Sequence, residues 1–156
     1  MAMQAQRTER VARVIAAARG LEGPLLPILH GLQEEFGHVP AEALPQVAEA
    51  LNLSRAEVYG VVSFYHDFRR QPAGRHVLKL CRAEACQSMG AERVASMVRE
   101  ALGVDFGETS ADGAVTLDPV YCLGLCACAP AALLDGEPIG RLDAAMVGEI
   151  AEEVRR

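Results

Sequence analysis

A chain of 156 residues has room for one ordinary domain or two small lobes. Its 51% hydrophobic and 23% charged content excludes a disordered chain, which would lack the apolar surface for a packed core. The net charge of −6 argues against non-specific nucleic-acid binding, because a polyanion is repelled before a local patch can act. The longest run without a charged side chain, Pro119 to Leu134, is 16 residues long and is interrupted by Gly124 and Pro130, so no membrane span is expected. Arg7, Glu9, Arg10, Arg13 and Arg19 leave no apolar run for a secretory signal, and a cytoplasmic location is the expectation.

The first seventy residues read as short helices. Thr8 to Arg19 sets Val11, Val14, Ile15 and Ala18 on one face, with Gly20 placed to stop it. Pro24 to Phe36 carries Leu25, Ile28, Leu29, Leu32 and Phe36 at helical spacing and ends at Gly37. Pro40 is suited to opening a third helix through Leu44, Val47, Ala48 and Leu51, which Pro45 bends or delays. Ser54-Arg-Ala-Glu57 is a capping box, and its helix continues through Val58, Val61, Val62 and Tyr65. Together these predict a small helical bundle over residues 1–72.

Gln71-Pro72-Ala73-Gly74 breaks the pattern, and residues 73–156 read as a second domain. His76 to Leu80 alternates as a strand that ends at Cys81, and Val115 to Tyr121 is a second strand ending at Cys122. Between them, Ala91 to Leu102 is a helix with Val94, Met97, Val98 and Leu102 inward, closed by Gly103. Ala131 to Leu134 and Ile139 to Leu142 flank Asp135-Gly136, a hairpin turn that favours positive φ. Met146 to Val154 closes the chain as a helix. The order β-α-β-β-α suits a small α/β sandwich after the bundle, an α+β chain as a whole.

All five cysteines, Cys81, Cys86, Cys122, Cys126 and Cys128, lie in the second half. In a reducing compartment clustered cysteines point to metal, cluster or redox chemistry, and an odd count suits four ligands and one bystander. Cys81 and Cys86 form a C-x4-C pair after the first strand, and Cys122 and Cys126 a C-x3-C pair after the second. If the strands are neighbours joined by a crossover helix, both loops open at one sheet edge and four thiolates converge. Zinc and an iron–sulfur centre both accept four thiolates at such spacings. Gly124, Ala127 and Ala129 favour a cluster, because small residues let backbone amides approach its sulfurs, and Arg82 is a nearby positive charge. Cys128 reads as a buried apolar side chain. No C-x2-C redox pair of the thioredoxin type is present.

Other polar residues read as structural. His30, His38, His66 and His76 have no ligand spacing to the cysteines, and adjacent acids such as Glu34-Glu35 and Glu152-Glu153 point apart on a helix. Arg69-Arg70 suits a helix C-terminus. Phe64, Tyr65 and Phe68 serve either as a partner-docking edge or as packing against the cluster lobe.

These residues resemble the thioredoxin-like [2Fe-2S] subunits of NADH-linked oxidoreductases. The resemblance rests on Leu26-Pro-Ile-Leu29, Gln33-Glu-Glu-Phe-Gly37, Pro40, Ser54-Arg-Ala-Glu-Val-Tyr-Gly60, Ser63-Phe-Tyr65 with Phe68, and Pro72-Ala-Gly-Arg-His76 leading into Cys81 and Cys86. Cys122-Leu-Gly-Leu-Cys126 followed by Ala129-Pro130 is similar to the second ligand motif. It implies an N-terminal helical part and a thioredoxin-like domain holding one [2Fe-2S] cluster on Cys81, Cys86, Cys122 and Cys126. The family includes the 24-kDa subunit of complex I, hydrogenase subunits and the gamma subunit of NAD-dependent molybdenum formate dehydrogenases. Arg82-Ala-Glu-Ala85 with Gln87, Phe64-Tyr-His-Asp-Phe68, and Cys122-Leu-Gly-Leu-Cys-Ala-Cys-Ala-Pro130 resemble the formate dehydrogenase branch. Complex I relatives more often carry Gly-Thr-Ala before the second cysteine. That branch implies docking on an FMN- and NAD-binding beta subunit beside a molybdenum-containing alpha subunit. It also implies no catalytic residue in this chain, which has no G-x-G-x-x-G loop.

Overall fold

A computed structural model describes residues 2–156, which fold as two compact units, one ending at Pro72 and the other running from Ala73 to Arg156. Among the described residues, no helix is long and apolar enough to cross a membrane.

The first unit is helical: α1 (Ala2–Ala18), α2 (Leu25–Phe36), α3 (Leu44–Leu51) and α4 (Arg55–Phe64). Its core joins Val11 and Ile15 of α1 to Ile28, Leu29 and Leu32 of α2, Val47 and Ala48 of α3, and Val58 and Val62 of α4. Gly31 lets α1 approach α2, since a Cβ there would lie 2.8 Å from Cγ1 of Val14. The first helix starts well before Thr8. Pro40 opens a single 3-10 turn, Ala41–Ala43, and α3 follows with Pro45 in its first turn, where a missing N–H costs nothing. The capping box at α4 is closed both ways: the Ser54 amide donates to Glu57 Oε2 at 2.8 Å and the Glu57 amide to Ser54 Oγ at 3.2 Å.

Beyond α4, the chain turns back over α2. Gln33 donates to the Asp67 carbonyl at 2.7 Å and accepts from the Arg69 amide at 2.6 Å. Phe68 is thereby buried beside the His30 ring, 5.0 Å between centroids, while Phe64 and Tyr65 stay exposed. Packing therefore claims one of the three aromatics.

The second unit is a five-stranded sheet with the order β2-β3-β1-β4-β5. Its strands are β1 (His76–Cys81), β2 (Glu108–Thr109), β3 (Val115–Val120), β4 (Ala131–Leu134) and β5 (Glu137–Gly140). Its helices are α5 (Glu84–Ser88), α6 (Ala91–Leu102) and α7 (Ala144–Glu153). β1 and β3 are parallel and the other pairs antiparallel. Leu78 and Leu80 of β1, Val115 and Leu117 of β3, and Ala132 and Leu134 of β4 share one core with Val94 and Val98 of α6 and Val147 and Ile150 of α7. The thioredoxin-like α+β architecture expected above is the one observed.

The differences from the expected elements are local. The turn at Asp135 (φ 53) and Gly136 (φ 92) has the two positive angles of a tight hairpin, but β5 begins directly after it at Glu137. Ile139 to Leu142 is therefore two residues late, because a two-residue turn fixes where pairing resumes. The short strand β2 and the five-residue α5 have too few residues to show a hydrophobic period. α7 starts at Ala144, with the Asp143 side chain accepting from the Met146 amide.

Asp135 also ties the hairpin to β1. Its carboxylate accepts from the Val77 amide at 2.7 Å and meets His76 Nδ1 at 2.7 Å. Burial pushes this carboxyl up, but the His76 and Val77 hydrogen bonds outweigh it and hold it below its ordinary value. A lowered folded-state value means the bond stabilises the fold above the ordinary carboxylate range and is lost as pH falls through the lowered value. Urea unfolding of the wild-type chain and of Asp135→Asn is expected to show a stability gap at neutral pH that closes on acidification. A gap independent of pH would show that the charge of Asp135 contributes nothing.

Candidate metal centre

Register places the site. Cys81, the last residue of β1, lies opposite Val120, the last residue of the parallel β3, and the Arg82 amide then donates to the Val120 carbonyl at 2.7 Å. Both cysteine loops therefore leave the sheet from the same edge. The first turns into α5, which carries Cys86. The second passes through Cys122 (φ 96) and Gly124 (φ 75) into a 3-10 turn, Cys126–Cys128. A left-handed backbone at Cys122 is costly for a residue with a Cβ, and glycine at 124 removes a second such cost from the same loop.

Cys81 and Cys86 are each 2% exposed and pack with Ala91, Ala129 and Ala131, whereas Cys122 and Cys126 are exposed. Cys122 Sγ and Cys126 Sγ are 3.9 Å apart, and Cys81 and Cys86 are near enough to shift one another's titration. All five thiols are free. Among the described residues, no three His, Cys, Asp or Glu side chains close around a single point. The thiols stand instead as two pairs, and a centre with two irons takes its ligands in pairs.

The electrostatics are those of a site waiting to lose protons. Burial pushes the Cys81 thiol up, but amides of Ala83, Cys122 and Leu123 and the Cys86 thiol bond to it and bring it below its ordinary value. Cys86 is pushed up by burial and by its neighbour Cys81, against an amide bond from Ala131. Cys126 is pushed up by its hydrogen bond to Cys122 and by that neighbour's charge, with a weaker effect of Cys81. The sulfurs thus sense one another across both loops. A cation there would release the protons that mutual repulsion holds on, and thiolates are the form that binds metal. Donor set, pairing and amide donors all fit a thiolate-ligated iron–sulfur cluster.

Several side chains named from the sequence stand elsewhere. The Arg82 guanidinium binds Glu92 at 2.5 Å and lies over the Phe106 ring, 5.0 Å from its centroid, so its charge is already engaged. The Gly124 amide donates to Cys122 Sγ at 3.4 Å, as small-residue loops allow, but the Ala129 amide closes the turn on the Cys126 carbonyl instead. Cys128 is half-buried, with its Cβ directed at Gly140 of β5. The Ala83, Cys122, Leu123 and Ala131 donors carry no sequence signal, because every residue type except proline has the same amide.

A parallel β1–β3 pair with two cysteine pairs at its carboxyl edge defines an iron–sulfur protein built on a thioredoxin-like sheet. Residues 11–155 match the thioredoxin-like [2Fe-2S] ferredoxin family. The chain belongs to that family, and its cofactor is a [2Fe-2S] cluster. It is 34% identical over 143 residues to the NADP-reducing hydrogenase subunit HndA of Solidesulfovibrio fructosivorans, covering 92% of this chain and 84% of that one. It is 32% identical over 135 residues to the NADH-quinone oxidoreductase subunit 2 of Thermus thermophilus, covering 83% and 75% of the two chains. A chain of an NAD+-reducing [NiFe]-hydrogenase in the air-oxidized state superposes with a TM-score of 0.71 at 29% identity. The match covers 84% of this chain and 22% of that much longer one.

The loop's backbone angles are open to direct test. Replacing Gly124 by alanine forces a Cβ into a left-handed residue and is expected to cost about 1 kcal/mol. Urea denaturation of the metal-free chain measures it, and an unchanged midpoint would show that the loop adopts another conformation.

Proposed function

We propose that this chain is the electron-transfer subunit of a soluble NAD-dependent formate dehydrogenase complex in the cytoplasm. In this reading the helical domain, 1–72, precedes the cluster-bearing domain, 73–156. The chain docks on an FMN- and NAD-binding beta subunit, and a molybdenum-containing alpha subunit completes the complex. Formate oxidation and NAD+ reduction belong to those partners, and this chain alone reduces no NAD+. The observation that carries the branch is the second loop, Cys122-Leu-Gly-Leu-Cys-Ala-Cys-Ala-Pro130, with its additional Cys128. A second reading is favoured by the names of the relatives: the equivalent subunit of an NADH:quinone oxidoreductase or an NAD-linked hydrogenase. Five free thiols suit the reducing interior of a cell.

Cys81, Cys86, Cys122 and Cys126 are the proposed ligands, one pair to each iron. When bound, the cluster supplies a one-electron couple. Around it the chain's own groups bind and tune. The Ala83, Cys122, Leu123 and Ala131 amides, which point at Cys81 or Cys86, favour added negative charge on those sulfurs. Burial of Cys81 and Cys86 keeps water from one side, while the exposure of Cys122 and Cys126 leaves the other side open to a partner.

Serine at Cys81, Cys86, Cys122 or Cys126 is expected to abolish or sharply reduce iron and acid-labile sulfide per chain, while Cys128→Ser retains both. Equal loss in the Cys128 variant would mean that the fourth ligand is misassigned. A visible spectrum with iron, sulfide and zinc assays on the anaerobically purified chain separates cluster from structural zinc.

The parent enzyme is read by purifying the tagged chain from its native cell and assaying the co-purified complex. Formate-dependent NAD+ reduction supports the formate dehydrogenase. Hydrogen-dependent or quinone-linked activity without it supports the second reading.

A further inference from the structure

We infer that Gly140 is a positioning residue for the cluster, a clearance at the end of β5 that lets the Cys126–Cys128 turn hold Cys126 in place. The inference rests on the proposed ligand role of Cys126.

Gly140 does not have a left-handed φ, so its backbone conformation alone would admit any residue. What it lacks is space. A Cβ there would lie 2.7 Å from the Cβ of Cys128 and 3.0 Å from the Cys128 carbonyl oxygen. Neither atom is the free end of a flexible side chain, so relief requires the backbone at Cys128 to move.

That backbone is coupled to Cys126. The Cys128 amide donates to the Leu125 carbonyl at 2.9 Å and the Ala129 amide to the Cys126 carbonyl at 3.3 Å, which fixes Cys126 and Cys128 in one turn. On its other side the turn is pinned to the chain after β5, by the Arg141 amide on the Cys128 carbonyl at 2.6 Å and the Leu142 amide on the Pro130 carbonyl at 3.0 Å. Gly140 also lies directly opposite Ala131 in the β4–β5 register, so it marks the end of the strand pairing that carries the turn. A methyl at 140 therefore presses on the turn that carries Cys126 in the second loop. This gives Cys128 a role without ligation, as the surface against which the turn seats on β5.

The test uses the full chain with its cluster. In Gly140→Ala the far-UV circular dichroism is expected to be unchanged. Cluster loss to an iron chelator should be roughly tenfold faster, the scale on which removing support behind a metal ligand acts. The electron paramagnetic resonance of the reduced cluster should shift. Cys128→Gly in that background removes the nearer contact, the opposing Cβ, and should bring the rate most of the way back to wild type, whereas Cys128→Ala, which keeps the Cβ, should not. A wild-type loss rate in Gly140→Ala, or equal behaviour of the two double variants, overturns the proposal. If Gly140→Ala does not fold, recovery of fold and cluster with Cys128→Gly alone supports it, and recovery with neither overturns it. Cys126→Ser is measured alongside. Retention of iron in that variant would overturn the ligand assignment itself, separately from the steric argument.

Discussion

The parallel pairing of β1 with β3 is the constraint on which the cysteine site depends. Parallel strands send their carboxyl ends to one edge, and the Cys81–Val120 register brings those ends level. A shift of one residue would turn the Cys81 side chain to the opposite face of the sheet. That register is fixed some distance from the cysteines, by Leu78 and Leu80 facing Val115 and Leu117 in one buried core. The hydrophobic pattern of the strands thus sets where the sulfurs lie. A crossover through α5 and α6 is what permits parallel pairing at all.

Bringing four sulfurs together has an electrostatic cost that the fold meets with backbone. Burial raises Cys86 and the hydrogen bond to Cys122 raises Cys126, and in both the charge of neighbouring thiols adds to the rise. Arg82, the nearest basic residue in sequence, is held by Glu92 and Phe106 rather than by a sulfur. Amide dipoles offset the charge instead, from Ala83, Cys122 and Leu123 on Cys81 and from Ala131 on Cys86. Such donors are fixed by the fold of the backbone, so they need no side chain to reorganise as the charge on the cluster changes.

Much of this was legible in the sequence because it follows from pattern. The alternation at His76 to Leu80, the helical period at Ala91 to Leu102, the Ser54–Glu57 box and the Asp135-Gly136 turn each carry a local signal, and each element is found. α5, β2 and the Cys126–Cys128 turn carry none, since two to five residues cannot display a period. The cysteine spacing pointed to a thiolate site but left zinc and cluster both open. The family match is what separates them. Gly140 was invisible for another reason: its importance lies in an atom it does not have, and only a structure shows what would occupy that place.

As the proposed ligands, the two pairs of sulfurs answer opposing demands. A cluster must be shielded from water, and it must also be reached by a partner. Cys81 and Cys86 are walled by Ala91, Ala129 and Ala131, all small enough to let backbone approach. Cys122 and Cys126 sit on a loop at the surface, next to the exposed Tyr121. Leu123 and Leu125 anchor that loop by packing against the Cys81 and Cys86 side. Around those anchors its shape comes from positive-φ residues at 122 and 124, from its own hydrogen-bonded turn, and from the seam it makes with β5. Exposure of Cys122 and Cys126 is therefore possible because the leucines between them are packed inward and backbone geometry sets the rest.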